Sequence, residues 1–213
     1  MPDIGLYNAK YGLRRRLERW LPAFRDVDPN LISWSMLPVG AATAVALHVV
    51  ARGGPAWLYL AVVGLVVLRM LLGTLDGLVA VHFAKGTARG EMLNRLAPEL
   101  CDAMYLGALA LARPDWAALG VGALVATWLT TFAGMLGFTV GKGGESVGPV
   151  GQTDRLAALI ACALLAFLGA RSGWTTDYVA VFLGWCVLGG GVTVCLRLAR
   201  HFRAVGAAAR EAR

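Results

Sequence analysis

An all-α bundle crossing a membrane several times is the fold class the sequence predicts, on three observations. Of 213 residues, 58% are hydrophobic and only 15% are charged, well below the charge content of a typical soluble domain. Several apolar stretches are long enough to cross a bilayer. Lysine and arginine gather in the flanks of those stretches rather than along a face of a soluble domain, which is how a chain is oriented in a membrane. The same distribution argues against nucleic acid as the partner of the +7 net charge and points to anionic lipid.

The elements follow in chain order. Residues 5–24 mix Leu6, Tyr7, Leu13, Leu17 and Trp20 with Lys10, Arg14, Arg15, Arg16 and Arg19. Their apolar positions recur at three- and four-residue spacing, which predicts an amphipathic helix lying in the interface. That N-terminal segment occupies 1–27, and its basic, amphipathic character is not that of a signal peptide. Asp28-Pro29-Asn30 then launches the first of six spans, expected near 31–51, 56–84, 91–112, 116–140, 154–171 and 177–199. The membrane domain is thus 28–200, followed by a basic cytoplasmic tail, 201–213. With six spans both termini share a side. That side also holds Lys85, Arg89, Arg95 and Lys142, whereas the opposite loops hold only Arg52, Arg113 and Arg171. Both termini are therefore expected in the cytoplasm.

Cys101, Cys162, Cys186 and Cys195 all sit inside apolar segments without a CxxC pair, so they read as small hydrophobes. The 27 glycines suit close helix contact. No internal repeat and no pair of broken helices suggests a transporter.

Polar groups at membrane depth carry the functional question. On the second span Arg69, Gly73, Asp76 and Ala80 share a helical face; on the third, Glu91, Asn94, Pro98 and Asp102 do, with Arg95 beside them and Glu99 at the edge. A short loop between two antiparallel helices would bring these faces together, in an acidic, amide-bearing pocket suited to Mg²⁺ or Mn²⁺. The plainer alternative is that the charges pair among themselves, Asp76 with Arg69 or Arg95. Pro98 lacks an N–H, which frees the carbonyl of Asn94 and predicts a kink.

This spacing resembles the membrane CDP-alcohol phosphotransferases, whose second and third helices carry D-x2-D-G-x2-A-R-x8-G-x3-D-x3-D. Asp76-Gly77, Ala80 and Gly90 fall in register, while Gly73, Val81, Asn94 and Pro98 stand where an aspartate, the arginine and two further aspartates would be. A bacterial branch reading about RMxLNxxDGxxAR and GxxLNExGDxxxDxxLYL is more similar still. Against it stand "RMLLGTLDGLVAVHF" and "GEMLNRLAPELCDAMYL", so that Arg69, Met70, Asn94, Asp102 and Tyr105 match too. "GPVGQTDR" at 148–155 looks like that branch's GPMGKSDR-like stretch, and "DPNLIS" like the family's TPNxIT.

The resemblance implies an inner-membrane, multi-pass enzyme of phospholipid biosynthesis, dependent on Mg²⁺ or Mn²⁺ and acting as a homodimer. It would move a phosphatidyl or phospho-alcohol group from a CDP-linked donor to an alcohol acceptor and release CMP. Asp76, Asn94 and Asp102 would bind metal. Asp102 or Glu91 would serve as the catalytic carboxylate. Gly77, Ala80 and Gly90 would admit the nucleotide, and Arg69, Lys142 and Arg155 would contact phosphate or headgroup. Because only Asp76 of the family's four aspartates is kept, the alternative is a catalytically inactive relative that binds lipid or nucleotide, or serves as a partner subunit.

Overall fold

The computed structural model describes residues 17–141 and 143–211. The expected amphipathic helix falls largely on residues 1–16 and so lies outside the described residues, as does Lys142. Its described end makes one short 3-10 turn, Leu21–Phe24.

Six long helices follow: α1 Pro29–Ala51, α2 Leu58–His82, α3 Ala88–Ala112, α4 Pro114–Met135, α5 Gln152–Ser172 and α6 Tyr178–Glu211. A 3-10 turn, Leu136–Val140, extends α4. The helix starts are written in the sequence. Asp28 accepts the Asn30 N–H at 2.9 Å with Pro29 at the first helical position, Thr87 Oγ1 accepts the Gly90 N–H at 3.0 Å, and Asp154 accepts the Gly151 N–H at 2.9 Å. Each partner satisfies a donor that the first turn of a helix leaves unmatched. Gly173, at φ 72°, ends α5 in a left-handed turn.

Five of the six are long and apolar enough to cross a membrane: α1, α2, α4 with its extension, α5 and α6. Helix α3 matches α2 in length, at 25 residues, but Arg89, Glu91, Arg95, Glu99 and Asp102 fall between its start and just past its middle. Residues 201–211, expected as a tail, continue α6 as helix. The four cysteines are free thiols, with Cys101 and Cys186 fully buried.

Helix α1 packs along both α2 and α3, α4 bridges α3 and α6, and α5 lies between α2 and α6. Helices α2 and α3 touch only briefly although a few residues join them. Met36 and Leu47 of α1, Val62 and Val66 of α2, and Ala97 and Cys101 of α3 form the buried seam that keeps α1 wedged there. The two polar faces therefore flank a space instead of packing backbone to backbone, and the long Arg69 side chain bridges them. The helix backbones come close only near the connecting loop. At the far end Trp116 donates to Asp177 at 3.0 Å and Arg113 stacks over its ring at 4.4 Å, tying α4 to the start of α6.

Candidate functional site

Asp76 is 2% exposed, on the α2 face that abuts the first turns of α1. Its Oδ2 accepts the Ser33 hydroxyl at 2.6 Å, and its Oδ1 accepts the Gly77 N–H at 2.6 Å. Such bonds to a carboxylate are charge-assisted and hold it in a fixed rotamer. Neither Arg69 nor Arg95 pairs with it, so the simple ion pair weighed from the sequence is not formed. Arg69 turns to Asp102 and Arg95 to Glu91, at 3.6 and 2.6 Å.

Around Asp76 lies a pocket of about 480 Å³ lined by Gly77, Ala80, Gly90, Glu91 and Asn94, and by the opening residues of α1 and α3. Gly90 leaves room for Asn30: a Cβ there would stand 2.7 Å from Asn30 Oδ1 and 3.1 Å from Thr87 Oγ1. At Gly77 a Cβ would lie 4.0 Å from the Asn94 amide nitrogen, which puts Asn94 across the pocket from Asp76. Gly73, in contrast, faces Met36 Sδ; its lack of a side chain admits α1.

A second, larger cavity of about 680 Å³ adjoins the first through Glu91 and Asn94, which line both. Arg69, Pro98, Glu99 and Arg155 contribute to its wall, with the 144–146 loop and Arg197. Asp102 lines neither space. It is 3% exposed, and its Oδ2 accepts from Arg155 Nε and Nη2 at 2.9 and 2.7 Å. Arg155 also donates to Thr130 Oγ1 at 3.3 Å and reaches Glu99 Oε1 at 3.5 Å; Thr131 donates to that same oxygen at 2.9 Å. Arg69 donates to the carbonyl of Pro98, at 3.0 Å. The structure therefore gathers Asp76, Gly77, Ala80, Gly90, Glu91 and Asn94, and sets Asp102 apart with Arg69 and Arg155 in a buried knot between α2, α3 and α5.

Three residues that the sequence reading passed over also belong here. Ser33 holds Asp76, and its place at the end of "DPNLIS" was the available signal. Asn30 walls the pocket one turn earlier. Arg197 falls inside an apolar run, the usual mark of a functional arginine. It is 7% exposed and donates to the carbonyls of Val147, Thr130 and Ser146, pinning the 143–151 loop.

The donor set can be tested against a divalent cation. Among the described residues no three His, Cys, Asp or Glu side chains converge to hold one, so a closed protein cage is not built. Asp76, Asn94 and Glu91 do offer oxygen donors around one pocket. One or two carboxylates suffice for a hard cation that keeps water and is completed by substrate phosphates. The residues fit one such ion.

Comparison with known proteins bears on the fold. No protein-family model matches the chain. Over 130 residues, 61% of the chain, it is 32% identical to the inner membrane protein YnbA of Escherichia coli (strain K12), and the match spans 63% of that protein's length. Among solved structures it is similar to the Mycobacterium tuberculosis phosphatidylinositol phosphate synthase with CDP-DAG bound. That match has a TM-score of 0.67 and 16% identity, covering 91% of this chain and 93% of the other. The same synthase in complex with manganese and citrate matches with a TM-score of 0.66 and 16% identity, over 91% and 88%. At that identity the likeness establishes the fold.

Proposed function

We propose that this chain, which has the fold of a CDP-alcohol phosphotransferase, works as one: it transfers a phosphatidyl or phospho-alcohol group from a CDP-linked donor to an alcohol and releases CMP. The observation that carries this is the pair of contiguous cavities that meet at Asn94 and Glu91, one built around the buried carboxylate of Asp76 and the other around a polar wall. Two substrates in these spaces would meet at the shared residues.

The donor's diphosphate suits the smaller pocket. The first turns of α1 and α3 open onto it, and helix N-termini favour anions. Gly77 and Gly90 let the nucleotide approach backbone. Asp76 alone would repel a diphosphate, and a bound Mg²⁺ or Mn²⁺, held by Asp76 and Asn94, would neutralise charge on the pyrophosphate and the leaving group. Ser33 orients Asp76. Asn94 supplies a neutral amide to either substrate. Glu91, exposed and paired with Arg95, is the carboxylate positioned at the junction to receive the acceptor's proton. Asp102 acts through others: it holds Arg69 and Arg155 in the wall.

The same reading takes α3 as a sixth crossing, with its charges turned to the cavities, places both termini in the cytoplasm, and pairs two copies as a homodimer. A second reading, the inactive relative, draws on one observation: Gly73 packs on Met36 and Pro98 gives its carbonyl to Arg69, so neither position supplies a carboxylate. CMP release separates the two. Protein in nanodiscs would receive CDP-diacylglycerol, Mn²⁺ and a panel of alcohols, with Asp76→Asn as control. Metal-dependent CMP lost in the variant is the expected result, and no CMP above that variant's background would favour the inactive relative.

A further inference from the structure

Two walls of the smaller pocket are tied to each other by a side chain at its edge. One wall is the opening of α1, which contributes Pro29, Asn30 and Ser33; the other is the α2–α3 loop, residues 84–87. That loop is a firm base. The N–H groups of Phe83 and Lys85 donate back to the carbonyls of Val79 and Ala80, at 3.2 and 2.9 Å, and Thr87 Oγ1 caps α3. Ala84 is left-handed between them, at φ 52°, and such local strain persists only where the surroundings hold it.

From this base the Lys85 ammonium reaches back sixty positions in the chain. It donates to the carbonyls of Arg25 and Val27, at 2.5 and 3.1 Å. Both carbonyls lie just ahead of Asp28, the residue that caps α1. The segment carrying them is seated by Leu21, 1% exposed, which packs with Ile32, Leu75, Leu78 and Val79; Phe24 and Phe83 lie against the same cluster. Lys85 Nζ also sits 5.9 Å from the centre of the Phe83 ring. One ammonium therefore joins the α2–α3 loop to the chain entering α1. Asn30 and Ser33 stand on the first turns after that entry, and Ser33 holds Asp76 at 2.6 Å.

We infer that Lys85 is a positioning residue for donor binding: by tying the entry of α1 to the α2–α3 loop it fixes the spacing of the pocket's two walls, and it acts through the segment seated by Leu21 rather than by touching the donor. The inference rests on the transferase reading above, since it concerns the donor pocket of that reaction. Released carbonyls near the surface would be rehydrated, so the fold should lose little. A pocket whose walls are no longer held must be ordered by its ligand, and that cost is taken from affinity.

The test uses the full chain in nanodiscs with Mn²⁺. Binding of CDP-diacylglycerol is read as a saturable thermal shift, and KM and kcat are read from CMP release. Lys85→Met keeps the aliphatic stem and removes the donors. It is expected to weaken donor binding by about tenfold, which corresponds to about 1.4 kcal/mol. Donor KM should rise with it while kcat is nearly unchanged, and Lys85→Arg, which can still donate to two carbonyls, should restore most of the affinity. Leu21→Ala loosens the same segment from outside the pocket, with Phe24→Ala in its place if that variant does not fold. Either should weaken donor binding, and should add little to Lys85→Met. Unchanged donor binding in Lys85→Met overturns the inference. So does a loss that the segment variants neither share nor absorb, because Lys85 would then act on the donor's phosphates directly. Hydrogen exchange without ligand reads the tie independently of the reaction: the amides of Val27 and residues 30–33 should exchange faster in Lys85→Met, and unchanged protection overturns the inference too. If the unmodified protein binds no donor, the transferase reading falls and the inference with it, even where exchange upholds the tie between loop and α1.

Discussion

Asp102 on α3 and Arg155 on α5, fifty-three positions apart in the chain, form a two-bond ion pair at 2.9 and 2.7 Å in which each side chain is 4% exposed. Arg69 of α2 reaches the other oxygen of the same carboxylate at 3.6 Å. One carboxylate thus ties three helices at the floor of the larger cavity. Asp102→Asn would leave two buried guanidinium groups short of a counter-charge, and a broken buried pair costs about 3–5 kcal/mol. Thermal unfolding in detergent should show a large loss of stability. Arg155→Gln should show a similar loss, and the double variant should lose less than the two combined.

Asp76 is expected to behave in the opposite way. Asp76→Asn keeps the shape: its oxygen can accept from the Gly77 N–H while its amide donates to Ser33 Oγ, whose proton turns to the Pro29 carbonyl, so unfolding should change little. CMP release should fall at least about a hundredfold, the size of effect expected when a group acting on the reacting centre is removed. A rise in melting temperature with Mn²⁺, present in the unmodified protein by linkage, should vanish in the variant.

Gly90→Ala puts a methyl group 2.7 Å from Asn30 Oδ1. The neighbour is the end of a partly exposed side chain that can swing aside, so the fold should lose no more than about 1 kcal/mol, while Asn30 would be pushed into the smaller pocket. Donor binding, followed as a saturable thermal shift with CDP-diacylglycerol, should weaken more than the fold does.

Ala84, in the loop after α2, is the one described residue other than glycine with positive φ, at 52°. A left-handed conformation costs an ordinary residue about 1–2 kcal/mol, part of which glycine's freedom in the unfolded chain offsets. Ala84→Gly should raise stability by up to about 1 kcal/mol in the same unfolding measurement, leaving CMP release unaffected.

Much of the site was legible in linear order. Asp76-Gly77, Gly90 and Asn94 fall on the expected helical faces, and the structure brings them to one pocket because spacings of three and four residues fix a face whatever the helix packs against. Asp102 was not legible in the same way. It shares a face with Glu91 and Asn94, but three turns of helix separate Glu91 from Asp102, and there Arg155 of α5 closes over the carboxylate. Ser33 and Arg197 were missed for a related reason, since their partners, Asp76 and the carbonyls of residues 130, 146 and 147, lie far away in sequence.

What the sequence by itself determined is what local physics determines: long apolar helices from composition, their starts from Asp28, Thr87 and Asp154, and the faces on which charge would lie. Only the tertiary structure decided which charges meet. Helix α1 wedges between α2 and α3, so Ser33 rather than Arg69 or Arg95 reaches Asp76, and Asp102 is delivered to Arg155. A periodicity specifies a direction around one helix axis. The distance between two axes is set by packing, here by small residues such as Gly73 that let α1 in, and it is this distance that turns a row of polar residues into either a pocket or an ion pair.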